Sequence, residues 1–133
     1  MANRSCAAIV KDGMILMVKQ TYKGETFWTF PGGKIENGET PPQCAIRETK
    51  EETGLDIEIA GQAIESYSAR IEGIYYCYIG KMVRGTAQLG SDPELGEHEQ
   101  ELTDLRWFPL EEMAEHREVK PILAFLRANR SNA

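Results

Sequence analysis

Two short apolar runs open the chain, Cys6 to Val10 and Met14 to Val18, with Lys11, Asp12 and Gly13 between them. An Asp-Gly pair between such runs predicts a β-hairpin, because both residues accept the positive φ of a tight turn. Tyr22 to Glu25 reads as a loop. Thr26 to Phe30, aromatic and β-branched, reads as a short strand stopped by Pro31 and two glycines. Leu55 to Ile59, Ala63 to Ser68 and the longer Ile71 to Val83 predict three further strands, and Leu102 to Phe108 a last one. Gly85 to Gln100 gathers Gly, Ser, Asp and Pro, and predicts a loop bordering a site. Pro109 to Ala114 then reads as a short helix. Glu118 to Arg130 reads as a terminal helix that turns Ile122, Leu123, Phe125 and Leu126 inward.

The helical pattern in the middle of the chain carries the most information. Thr40 supplies an N-cap, Pro41 a first helical position and Gln43 the return arm of a capping box, while Gly54 supplies a left-handed stop. These signals predict a helix from Pro41 to Thr53. On a wheel of about 100° per residue, Ala45, Ile46, Thr49 and Thr53 form the inward stripe, and Glu48, Glu51 and Glu52 fill the sector beside it. An acidic helix face is ordinarily a solvated one, but these acids border the core rather than oppose it.

Like charges at i,i+3 and i,i+4 cost a helix about 0.2–0.5 kcal/mol per pair. Arg47 can partner Glu51 at i+4 and Lys50 points to solvent, so Glu48 and Glu52 are expected to lack a local cation. A divalent metal would compensate them. Hard carboxylate oxygens suit Mg²⁺, with Mn²⁺ as a substitute, and the backbone at Gly32 and Gly33 can approach a ligand closely. An EF-hand is excluded, since no loop of that pattern is present.

Composition narrows the class. The 133 residues are enough for one domain, read here as spanning 1–133, and too few for two ordinary ones. A net charge of -6 without a basic stripe argues against general nucleic-acid binding. A polyanionic substrate would therefore reach this surface only through bound cations. No apolar run approaches the roughly 20 residues of a membrane helix, and Asp12 and Gly13 interrupt the first apolar stretch before any secretory pattern forms, so a cytoplasmic protein is expected. Cys6, Cys44 and Cys77 lack paired metal spacing and read as free buried thiols.

The stretch from Gly33 to Leu55 resembles the Nudix box: Gly, five residues, Glu, seven residues, Arg-Glu, an aliphatic, any residue, Glu-Glu, any residue, Gly, an aliphatic. Gly33, Glu39, Arg47, Glu48, Glu51, Glu52, Gly54 and Leu55 stand at the defined positions, and only Thr49 departs, replacing the aliphatic residue. A β-branched threonine can pack there if its hydroxyl bonds the preceding turn. The surrounding WTFPGGKIENGET is similar to the MutT-like branch. The resemblance implies an α/β fold, an α/β/α sandwich around a central mixed sheet. It also implies metal-dependent hydrolysis of the phosphoanhydride bond in a nucleoside diphosphate linked to another moiety, such as a nucleoside triphosphate, an oxidised nucleotide, ADP-ribose or a sugar nucleotide.

By the same resemblance Glu48 and Glu52 are the principal metal carboxylates. Glu51 is a further ligand or water-activating group, and the Gly33 carbonyl is a ligand. Arg47 would orient Glu51 and Glu39 would brace the loop against the helix. A carboxylate outside the helix often completes such sites, and Glu101 is the first candidate, ahead of Glu97 and Glu99. Lys34 is a candidate phosphate contact; Lys19 and Gln20 stand where some relatives carry a phosphate-binding arginine. Tyr22, Phe27, Trp28, Tyr75, Tyr76 and Tyr78 could stack a base but read mainly as packing residues, and His98 and His116 read as surface residues. A homodimer is left open. The alternative reading is a catalytically silent Nudix module that senses a nucleotide or regulates a partner. Isoprenoid diphosphate isomerisation ranks lower, for want of a paired cysteine and acid.

Overall fold

The computed structural model describes residues 3–90 and 100–130. Its elements follow in the order β1 (Arg4–Lys11), β2 (Met14–Tyr22), β3 (Glu25–Thr29), β4 (Gly32–Lys34), α1 (Pro41–Thr53), β5 (Asp56–Ser68), β6 (Gly73–Arg84), β7 (Gln100–Pro109), a 3₁₀ turn (Leu110–Met113) and α2 (Val119–Arg130). The hairpin forms where expected, with Asp12 at φ 52° and Gly13 at φ 76°. Strands β1 and β2 pair only near that turn, at Val10 with Ile15 and Lys11 with Met14. Beyond it they part. Strand β1 runs parallel to β6 and antiparallel to β4, while β2 is flanked antiparallel by β3 and β7. Strand β5 closes the far edge against β6, giving a mixed sheet of seven described strands.

A helix packs on each face, and the alternation along β1 shows why that strand is apolar from Cys6 to Val10. Ala7 and Ile9 face α1 and join Leu16, Ala45, Leu55, Ile57 and Tyr78, whereas Cys6 and Ala8 face α2 and join Ile15, Met17, Phe30, Cys77, Val119 and Ile122. A strand buried on both sides has no solvent face to mark with polar residues. Among the described residues no helix is long and apolar enough to cross a membrane.

Three local expectations need correction. The two strands expected at Leu55 to Ile59 and Ala63 to Ser68 are one strand, β5, whose pairing slips at three points including Ile59/Gly61. Its turn-like middle is irregular pairing, and Gly61 leaves room for the Phe125 ring. The glycines after Pro31 do not end strand structure: Gly32–Lys34 pairs with Cys6, Ser5 and Arg4. A Cβ on Gly32 would stand 2.5 Å from that of Cys6, so only glycine allows the approach. Finally, the Thr49 hydroxyl does not bond the preceding turn. It is buried without a hydrogen bond, and it is Thr53 that donates back, to the Thr49 carbonyl at 2.7 Å.

The last point yields a prediction. Thr49→Val removes an unsatisfied buried hydroxyl at nearly constant volume and should stabilise the fold by about 1 kcal/mol, read from the urea midpoint. A variant less stable than the parent would show that the hydroxyl has a partner in solution.

Candidate functional site

Helix α1 presents the site, and local sequence sets its length. Thr40 Oγ1 accepts the Gln43 N–H at 3.2 Å while Gln43 Oε1 accepts the Thr40 N–H at 2.9 Å, so both arms of the capping box are closed. At the other end Gly54, at φ 76°, returns its N–H to the Lys50 carbonyl. The helix leans against β1, β4 and β5. That packing takes Glu48 to complete burial and leaves Glu52 only 3% exposed.

Arg47 is the hub around which the acids gather. Its Nε and Nη2 donate to the two Glu39 oxygens at 2.6 and 3.0 Å, and Nη1 donates to Glu48 Oε1 at 3.0 Å. Glu51 lies 3.3 Å from Nη1 and Glu36 3.3 Å from Nε. Nη2 also reaches the Lys34 carbonyl at 3.3 Å. The guanidinium holds the Glu39 carboxyl below the usual carboxylate range, chiefly through the hydrogen bonds it donates. The expectation that Glu48 lacks a local cation is thus corrected: adjacent residues on a helix rarely face each other, but a long arginine curls across its own turn. Lys50 is instead paired with Asp56 at 3.2 Å.

Gly33 meets this cluster from β4. A Cβ there would lie 2.6 Å from the Glu48 carboxyl carbon, so the absence of a side chain leaves the cradle the carboxylate occupies. Glu48 Oε2 is buried and accepts no hydrogen bond among the described residues. Cys44, one turn before Glu48, donates its thiol to the Gly33 and Lys34 carbonyls at 3.6 and 3.5 Å, and burial pushes that thiol up to about 12. Among the described residues no three Asp, Glu, His or Cys side chains converge as a ready-made metal cluster.

The remaining candidates separate. Lys34 is exposed next to Gly33, on the same rim. Glu101 lies on β7 with its backbone opposite Thr21, and its side chain lies outside the described residues, as do Glu97, Glu99 and His98. Lys19 lies over the Trp28 ring at 6.0 Å, with Arg106 at 5.3 Å from the same ring. Trp28 packs edge-on to Phe108, and Tyr76 and Tyr78 stack on the α1 side, so these aromatics serve packing. Two open grooves of about 640 and 480 Å³ flank the β1–β2 turn, and neither includes a residue of α1.

Sequence reasoning missed a half-buried acid, Glu118, on the other face of the sheet. Both Glu118 oxygens accept from Thr29 Oγ1, at 2.6 and 2.8 Å, and burial raises the carboxyl above its ordinary range. Beside it His116, expected at the surface, joins the turn before α2 to β3. Its Nδ1 accepts the Glu118 N–H, which leaves the proton on Nε2 to donate to the Trp28 carbonyl at 3.0 Å. A charged residue just ahead of a helix gave no periodic signal of burial.

Residues 1–128 match the NUDIX domain. The chain belongs to the Nudix family. An RNA pyrophosphohydrolase of Cereibacter sphaeroides is 32% identical over 94% of this chain and 84% of its own length. An 8-oxo-dGTP diphosphatase of Proteus vulgaris is 58% identical, but over 23% of this chain and 28% of its own. The chain spans half or less of several curated Nudix relatives, including the CTP pyrophosphohydrolase of Escherichia coli, matched over 50% of each at 32% identity. The Nudix fold is matched by an ADP-ribose pyrophosphatase structure from Streptococcus suis, with a TM-score of 0.73 at 20% identity over 99% of this chain and 94% of that one. A Nitrosomonas europaea Nudix hydrolase has a TM-score of 0.72 at 21% identity, covering 97% and 90%. The mixed sheet between two helices is the Nudix α/β/α sandwich.

Proposed function

We propose that the protein is a divalent-metal-dependent pyrophosphohydrolase of MutT-like type, acting in the cytoplasm on a nucleoside diphosphate linked to another moiety. The observation that carries this reading is the Glu48 carboxylate, fully buried yet seated against a glycine rather than packed by a side chain. Burying a carboxylate is costly unless charge or hydrogen bonds compensate it. Arg47 compensates one oxygen, and the Gly33 backbone leaves the space the carboxyl group occupies.

The donor set fits a hard cation. Glu48 and Glu52 would hold Mg²⁺ or Mn²⁺ together with the Gly33 carbonyl, with Glu51 joining from the rim. When bound, the cation supplies the positive charge that diphosphate oxygens and an attacking water both require. The chain's own residues do the rest. Arg47 pairs with Glu48 and ties the Lys34 carbonyl to α1, which fixes β4 against the helix. Lys34, exposed beside Gly33, would meet a phosphate oxygen, and Glu101 would supply a carboxylate from β7. In phosphoryl transfer such positioning and charge placement account for most of the rate enhancement.

Relatives whose names specify 8-oxo-dGTP, RNA and ADP-ribose support the substrate class and leave its member to experiment. The deciding assay is phosphate and pyrophosphate release from nucleoside triphosphates, oxidised nucleotides, 5′-triphosphorylated RNA, ADP-ribose and sugar nucleotides with Mg²⁺, Mn²⁺ or EDTA. We expect turnover of one class, abolished by EDTA. Folded protein silent on every substrate would point to the nucleotide-sensing module instead.

A further inference from the structure

The last carbonyls of a helix need partners from outside it. In α1 they come from the chain that follows β6. The Gln88 N–H donates to the Thr53 carbonyl at 2.9 Å, and the Gly90 N–H to the Glu52 carbonyl at 2.7 Å. Gly85 begins this stretch at φ 105°, close enough to the helix end that a Cβ would stand 2.9 Å from the Gly54 carbonyl oxygen. Gly90 ends it closer still, where a Cβ would stand 2.0 Å from the Glu51 carbonyl oxygen. The segment therefore crosses the final turn of α1 as a flat strap held by backbone groups, with the Leu89 side chain 40% exposed.

Gly90 is not among the residues with positive φ. Its identity answers to the contact with Glu51, not to a turn. Besides Thr53 and Gly54, the strap touches through Gly90 the backbones of Glu51 and Glu52, whose carboxylates lie at the end of the acidic sector, and helix ends otherwise fray. Fraying of that turn would displace both carboxylates. Resting on the reading proposed above, we infer that the strap Gly85–Gly90, through Gly90, is a positioning element that holds the Glu51–Glu52 turn in its cation-binding arrangement. Because linkage is reciprocal, a cation that uses this turn must in turn hold the strap in place.

The test uses Mn²⁺ as probe, titrated against the parent, Gly90→Ala and Leu89→Ala, with thermal unfolding followed in parallel. Alanine adds one methyl group without backbone strain at this φ, so Gly90→Ala should fold and bind Mn²⁺ at least about tenfold more weakly, the usual effect of disturbing a group that orients metal ligands. Its kcat should fall while KM for the nucleotide stays, and Leu89→Ala should match the parent throughout. Folded Gly90→Ala with parental Mn²⁺ affinity overturns the inference. Should Gly90→Ala fail to fold, hydrogen exchange in the parent decides: Mg²⁺ should slow exchange at the Gln88 and Gly90 amides, and unchanged rates overturn the strap's role. A parent that binds no divalent cation overturns the functional reading itself; one that binds it equally with and without the methyl group overturns the strap alone.

Discussion

Glu52→Gln is expected to lower kcat by about a thousandfold while leaving the fold intact. The side chain is 3% exposed, so an amide of the same shape preserves packing and removes only charge. A bound cation contributes several kcal/mol of charge stabilisation in phosphoryl transfer. Losing about 4 kcal/mol of it corresponds to about three powers of ten. Steady-state kinetics with thermal unfolding checks both halves. Parental turnover in this variant would remove Glu52 from the site.

Arg47→Met should produce the largest loss of stability, about 2–3 kcal/mol in urea. The methionine keeps much of the aliphatic stem but removes the guanidinium from Glu39, Glu48 and Glu51 together. Breaking a buried ion pair by deleting one partner costs about 3–5 kcal/mol, and the 23% exposure of the arginine side chain places this case at or below the lower end. Part of the deficit should depend on pH. The Glu39 carboxyl is lowered from 4.5 by Arg47, so its contribution is present above that value and is lost as pH falls through the lowered one. The gap between parent and variant should therefore be wider at pH 7 than at pH 3. Added Mg²⁺ should recover more stability in the variant if it takes over the guanidinium's role. A urea midpoint within experimental error of the parent would deny Arg47 its place as the hub.

Much of α1 could be read before any coordinates. Its bounds, Pro41–Thr53, follow from Thr40, Gln43 and Gly54, each of which acts on backbone groups within four residues of itself. The β1–β2 hairpin followed from Asp12 and Gly13 for the same reason. The sector holding Glu48 and Glu52 was legible from helical periodicity, which reports direction around an axis. How deeply those acids lie was not, because depth depends on β1, β4 and β5 packing across the helix. Arg47 illustrates the boundary: its i+4 partner was foreseen, but its bidentate grip on Glu39 depends on where the loop before Thr40 is folded back.

Elements with distant partners were misread or missed. Strand β4 exists because β1 leaves β2 after the turn and exposes an edge at Cys6, Ser5 and Arg4, which no local signal at Gly32 announces. His116 and Glu118 are held by Trp28 and Thr29, nearly ninety residues away, and Gly90 looked like an ordinary loop glycine until it was found against the end of α1. The amino-acid sequence by itself determined the caps, the turn, the helical sector of acids and the residue types that can hold a hard cation. Tertiary structure alone decided which acids lose their water and what lies against them. Capping and periodicity act within one or two helical turns, whereas burial is a property of surfaces that the chain must first bring together.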